Sequence, residues 1–358
     1  MVDFEEILAK ALRQDKLTKE EIVRLLKTRE KDRVNSLFRT AGELRARYFA
    51  DKVFIYGFLY ISTYCRNNCR FCFYRSENEN SLRYRKTEEE VIEAAVGLAG
   101  PGIHLVDLTM GEDPYYFCGN EGFEMLARLV ERVKETVELP VMVSPGVVPE
   151  RVLERLAAAG ADWYACYQET HNLSLFKKLR PGQNYEARLH TKRLAHKFGL
   201  LTEEGVLAGV GESPEDMAES IIVMDSLKAD QVRAMNFVPR KGTPMERDIT
   251  DDPLREMVCI AVMRLTLPDR LIPASLDVAG LSGLEKRLAA GANVVTSLVP
   301  PDRGLAGVAQ SYLDIDENKR SIASVLSVLA NCGLRAASKN DYTTWMSRRQ
   351  KAISEAGC

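Results

Sequence analysis

Cysteines 65, 69 and 72 fall inside "YCRNNCRFCFY", a polar loop that follows directly on the apolar run "VFIYGFLYIS". Three thiols so close together ask for a metal, because thiols in a reducing compartment stay unpaired. Structural zinc normally takes four ligands, often as two pairs, and no second pair stands nearby. Three thiolates suit a centre that is left open. A four-iron cube held at three corners keeps one iron free for an outside molecule, and its low potential makes it a source of one electron. The other cysteines, at 118, 166, 259, 332 and 358, are scattered and read as structural or surface thiols.

A second set of residues lies within apolar runs. Asp107 interrupts "HLVDLT", Arg233 interrupts "DQVRAMNF" and Asp277 ends "LIPASLD". Charges inside strands are costly unless paired or bound to a ligand. An internal salt bridge, such as Asp107 with Arg233, accounts for two of the three and leaves one over.

The elements that must position these residues follow from the spacing of apolar runs. Residues 3 to 48 carry helical periodicity in "FEEILAKALR", "TKEEIVRLLK" and "RVNSLFRTAGELRARYF", with no strand pattern. From residue 53, short apolar runs alternate with amphipathic stretches: 53 to 60, 103 to 109, 140 to 144, 162 to 168, 204 to 210, 230 to 238, 270 to 276 and 292 to 298. Eight βα repeats in about 250 residues predict an α/β fold, a (β/α)8 TIM-type barrel behind an N-terminal helical extension. A doubly wound open sheet is the alternative. The expected division is 1–50 helical extension, 51–340 barrel and 341–358 C-terminal tail, with a last helix in "NKRSIASVLSVLANCGL" before a polar end. In such a barrel the cysteine loop follows the first strand, at the C-terminal face where active sites form.

Forty-nine Lys and Arg against 51 Asp and Glu give a net charge of -2. That balance makes no global field for nucleic acid or an anionic membrane. The acidic, amphipathic N-terminus and the lack of any run of about 20 apolar residues predict a cytoplasmic chain that does not enter a membrane. A small molecule is the expected partner.

"CRNNCRFC" followed by Phe73 and Tyr74 resembles the CxxxCxxC signature of radical S-adenosylmethionine enzymes. The resemblance implies a 4Fe-4S cluster on Cys65, Cys69 and Cys72, and S-adenosylmethionine chelated to the open iron. "MGED" resembles the GGE motif of that superfamily, with Met110 in place of the first Gly, and "GVLAGVGE" resembles its G-x-I-x-G-x-x-E segment. "YQET" and "KKLRPGQ" resemble the segments that supply a carboxylate and an Arg to the cofactor. The implied cofactor contacts are Tyr74, Glu112, Ser144, Glu169, Arg180 and Arg188.

"STYCRNNCRFCFY", "HLVDLTMGEDPYY", "CYQET", "RLIPASLD" and "LAAGANVVTSLVPP" together are similar to the methylornithine synthase family, biotin synthase-like enzymes that begin pyrrolysine biosynthesis. The likeness runs over residues 18 to 340. It implies conversion of L-lysine to (3R)-3-methyl-D-ornithine by a 5′-deoxyadenosyl radical, with hydrogen removal, fragmentation and recombination. It also implies an electron donor such as flavodoxin or ferredoxin. Asp107, Arg233, Ser275 and Asp277 are the positions it assigns to substrate and product. The charge pattern agrees, since one cation and two anions complement a diamino acid: Arg233 for the carboxylate and the aspartates for two ammonium groups. An enzyme of the biotin synthase or hydrogenase maturase type acting on another amino acid is the alternative. Sulfur insertion would need a second cluster, for which the scattered cysteines offer no ligands.

Overall fold

The computed structural model describes residues 3–248, 252–307 and 320–356. Cys358 and the start of "NKRSIASVLSVLANCGL" lie outside the described residues. Eight parallel strands make the core: β1 (Lys52–Ser62), β2 (Leu105–Met110), β3 (Val141–Ser144), β4 (Trp163–Ala165), β5 (Leu201–Ala208), β6 (Gln231–Asn236), β7 (Pro273–Ser275) and β8 (Val294–Leu298). Each overlaps a run expected to be a strand, and β5 begins three residues before the expected 204. Their spatial order is β6-β5-β4-β3-β2-β1-β8-β7, which puts β1 between β2 and β8 and rules out the doubly wound alternative.

The barrel closes unevenly. β6 and β7 meet through one bridge, Gln231 to Leu271, where Val232 N–H donates to Leu271 O at 2.9 Å. Beyond that bridge β7 is short, so the wall parts toward the C-terminal ends of the strands. The site opens at that end.

Alternation along β1 sets the two faces. Tyr56, Phe58 and Tyr60 point into the lumen, while an outward Cβ at Gly57 would come within 2.9 Å of Leu98 on α4 (Glu88–Leu98). Glycine there lets the helix lie directly on the strand. α4 starts on a capping box, with Thr87 and Glu90 bonded to each other's backbone.

The N-terminal extension is α1 (Phe4–Leu12), α2 (Lys19–Leu26) and α3 (Lys31–Phe49), as the periodicity predicts. Buried Leu37, Ala41 and Leu44 seat α3 against α10 (Pro253–Thr266). The stretch expected to be a polar end is instead a helix. After α12 (Ile322–Asn331), β9 (Arg335–Ala336) pairs with the start of β1, and α13 (Lys339–Ala356) crosses the N-terminal end of the barrel. Tyr342 is fully buried, bonded to Tyr56 through the two hydroxyls at 2.8 Å, and Trp345 stacks on Trp163 at 5.9 Å. Two aromatic anchors bury enough apolar area to hold an otherwise polar helix. The lumen is thereby plugged at this end.

Candidate active site

The cysteine loop leaves β1 after Ser62 and returns at Lys86. Arg83 closes its neck, donating to the carbonyls of Thr63, Tyr74, Arg75 and Asn78. No spacing rule singles this arginine out. Cys69 is buried, and Cys65 and Cys72 are half-buried. Burial pushes the thiols of Cys65 and Cys72 up, and Cys69 and Cys65 raise Cys72 further. Such thiols give up their protons to a metal centre rather than to water. Arg180 Nη1 and Gln183 Nε2 point at Cys69 Sγ from 3.4 and 3.0 Å, the donors that a ligating thiolate needs.

Among the described residues, no group of three His, Cys, Asp or Glu closes on a single metal ion. The triad nevertheless lines one wall of a cavity, and thiols spread around a space fit a cluster better than an ion. That cavity holds about 1280 Å3 of empty space, mouth included.

Gly111 of "MGED" meets the loop so closely that a Cβ would sit 2.3 Å from Tyr64 O and 2.8 Å from Cys65 Cβ. The motif's second position thus needs glycine for contact with the cysteine loop. Glu112 then reaches the cavity, held by Arg66 at 3.0 Å, Arg188 at 3.5 Å and the Val147 N–H at 3.2 Å. Gly146, at φ 84, leaves the space in which the Glu112 side chain lies.

Glu169 has φ 68, a strained backbone for a non-glycine residue, and pairs with Arg180 at 2.7 Å. Burial pushes its carboxyl up, against the pull of Arg180 and Arg188. Arg188 donates to Tyr167 O at 2.9 Å. Tyr74 lines the same cavity, fully buried, with its hydroxyl on Ala306 O. These side chains, called from separate stretches of sequence, form one ring above the lumen. The ring holds two buried carboxylates against two buried guanidiniums.

The floor is different. Arg233 lines the cavity but does not pair with Asp107; its Nε donates to Glu203 at 2.7 Å and its Nη1 to Thr296 at 3.1 Å. Its Nη2 has no partner among the described residues. Glu203 also accepts from the Tyr167 hydroxyl at 2.9 Å. Asp107 lies beneath the cavity, accepting from Ser144 Oγ at 3.1 Å, with Oδ2 unpartnered among the described residues. Burial, and then the charge of Glu203, push its carboxyl up to about 7. Ser144 lines the cavity wall and joins it to Asp107.

Asp277 faces the cavity, while Ser275 lies behind it, accepting the Asp277 N–H at 3.2 Å. Arg320 pairs with Asp277 at 3.1 Å. Glu203 and Arg320 are thus members of the floor that the sequence reading did not contain. With Asp107 ionised, the floor carries three carboxylates and two guanidiniums among the described residues, one net negative charge.

Among the described residues, no helix is long and apolar enough to cross a membrane.

The family model described as the Radical SAM superfamily matches residues 59–222, from β1 through α9 (Pro214–Ser226). A 3-methylornithine synthase of Methanosarcina acetivorans is 40% identical over 96% of this chain and 97% of its own length. One of Methanosarcina barkeri is 42% identical over 95% of this chain and 96% of its own. The crystal structure of a methylornithine synthase superposes with a TM-score of 0.90 at 41% identity, covering 95% of this chain and 99% of the other. With a triad on the loop after β1 and a charged floor below it, the chain belongs to the 3-methylornithine synthase family of radical SAM enzymes.

Proposed function

We propose that the protein converts L-lysine to (3R)-3-methyl-D-ornithine, the first step of pyrrolysine biosynthesis. The observation that carries this reading is the floor: one net negative charge, with a free guanidinium N–H and two carboxylates, complements a diamino acid of net charge +1.

Cys65, Cys69 and Cys72 would hold a 4Fe-4S cluster, and Tyr74, Glu112, Ser144, Glu169, Arg180 and Arg188 would surround S-adenosylmethionine. When bound, this pair supplies a 5′-deoxyadenosyl radical, the species able to take hydrogen from Cγ of lysine.

The chain's own residues bind and orient. The free Nη2 of Arg233 takes the substrate carboxylate, with Glu203 and Thr296 fixing the plane of the guanidinium. Asp277 and Asp107 take the ammonium groups, and Ser275 holds the Asp277 backbone in place. The rearrangement breaks Cα–Cβ and rejoins at Cγ, so both fragments must stay in register and dry. Phe58, Tyr60 and Tyr167 wall the space, and the plug beneath keeps water out. No general base is required, because no proton changes hands in the net reaction.

A small redox protein such as flavodoxin or ferredoxin would supply the electron. The described cysteines are all free, which supports a reducing, cytoplasmic setting.

The test is anaerobic incubation of reconstituted protein with dithionite, S-adenosylmethionine and L-lysine. A new isomer co-eluting with 3-methylornithine is expected. Release of 5′-deoxyadenosine at a rate indifferent to lysine would keep the radical chemistry and overturn the substrate.

A further inference from the structure

Asp277 opens onto the cavity, and behind it stands a cation that the scheme above does not use. Arg320 lies outside the βα repeats, immediately before Ser321, the N-cap of α12. Its side chain is wholly buried, with Nη1 donating to Asp277 Oδ1 at 3.1 Å and to Ser297 O at 3.2 Å. Among the described residues its Nε and Nη2 have no partner. Desolvating a guanidinium is costly, and a single carboxylate compensates only where the geometry is fixed.

Asp277 is fixed. Its Oδ2 accepts from the Tyr60 hydroxyl at 2.8 Å and from Ser297 Oγ at 3.0 Å. A carboxylate offers about four lone-pair sites. With Arg320 in place three are filled, leaving one on Oδ1 for a ligand.

β8 is bent to make this arrangement. Ser297 has φ 65 one residue before the end of the strand, which breaks the usual alternation of faces. Thr296 Oγ1 can then meet Arg233 while the next residue, Ser297, meets both Asp277 and Arg320. One strained residue therefore serves both charge pairs of the floor.

We infer that Arg320 is a positioning residue that sets substrate selection: it anchors Asp277 so that one carboxylate lone pair faces the cavity and takes an ammonium N–H of the diamino acid. The inference rests on the lysine reading above. Arg320 also brings the floor from two net negative charges to one. That matches lysine and disfavours a diamine without a carboxylate, such as 1,5-diaminopentane, which carries two positive charges.

The experiment compares wild type, Arg320→Gln and Arg320→Lys as cluster-loaded protein, with the amino acid or diamine titrated before S-adenosylmethionine is added. Calorimetry reads binding of L-lysine and of 1,5-diaminopentane, and turnover gives KM and kcat. Arg320→Gln is expected to weaken lysine binding about tenfold or more, the size of one lost charged hydrogen bond. KM should rise with it, while kcat at saturation and S-adenosylmethionine affinity stay near wild type. The ratio of diamine to lysine binding should rise, and Arg320→Lys should recover most of the lysine affinity.

Unchanged lysine binding in Arg320→Gln overturns the inference. So does equal loss of lysine and S-adenosylmethionine, which marks a purely structural role. If Arg320→Gln does not fold, the double variant with Asp277→Asn decides: lysine affinity no worse than in Asp277→Asn alone supports action through Asp277, and a further tenfold loss refutes it. Wild-type indifference to lysine would overturn the substrate reading and this one with it. That result is distinct from equal binding by wild type and Arg320→Gln, which overturns this one alone.

Discussion

Asp107→Asn is the perturbation with the most definite signature, because the buried carboxyl titrates near neutrality. Burial and Glu203 push it up to about 7 from an ordinary 3.8. Only the ionised form sets a full negative charge against a substrate ammonium, so lysine affinity should fall as pH drops through 7. The affected fraction scales as 1 + 10^(7 − pH), a factor of about 2 at pH 7 and about 11 at pH 6. Wild-type affinity should therefore weaken about fivefold from pH 7 to 6 and flatten above 8.

The groups facing Asp107 do not imitate this. Tyr56 and Tyr167 are held neutral well above their ordinary range, chiefly by burial, and Arg233 stays charged beside Glu203. Calorimetric titration of lysine across pH 6 to 8 reads the slope directly. In Asp107→Asn the slope should vanish and the affinity should be low throughout.

The ligand-free protein carries the opposite sign. A carboxyl raised above its unfolded value contributes stability at low pH and loses it as pH rises through about 7. The difference amounts to roughly 4 kcal/mol at most, so Asp107→Asn should melt higher than wild type above pH 7. The same pH slope in Asp107→Asn as in wild type would refute the assignment of the titration to this residue.

Other substitutions separate the parts of the site. Cys69→Ala should abolish iron content and activity together, whereas Cys166→Ser should keep its iron although Cys166 lines the same cavity; loss of iron in the second would add a ligand to the triad. Asp277→Asn should keep the cluster and lose turnover with lysine, read by absorbance and product analysis on one sample. Gly111→Ala should lower iron incorporation during reconstitution, since its new methyl group collides with Tyr64 O, and full iron loading would show that the loop can give way.

Much of this arrangement was legible because period and punctuation were strong. Eight apolar runs at βα spacing located the eight barrel strands, though not the two-residue β9, and the triad's place after the first fixed its face of the barrel. The charges on β2 and β6 and at the end of β7 pointed to the floor because a strand interior tolerates no idle charge. Their counter-charges were hidden by context. Glu203 and Glu204 stand side by side in "LTEEGVLA", where a doublet of acids looks like a solvated strand start. Alternation sends one to the lumen and Arg233, the other outward to Lys192 on the buried face of α8 (Tyr185–Lys197).

Arg320 sits in the polar run "DENKRS", and nothing local separates it from a surface residue. Its burial comes from tertiary placement alone. The last helix was missed for the same reason, since two buried aromatics on a polar stretch give little periodicity. Among the described residues Arg83 hydrogen-bonds only backbone carbonyls, so no partner residue type betrays it.

The plug formed by Tyr56, Tyr342, Trp163 and Trp345 has a kinetic consequence. A vessel with one mouth fills and empties as a stack. Whatever occupies the floor at Asp277 and Arg233 must enter before a molecule seated in the ring of Glu112, Glu169 and Arg180, and must leave after it. Steady-state kinetics should then be strictly ordered, with the amino acid first on and last off, and excess S-adenosylmethionine should trap the amino acid inside.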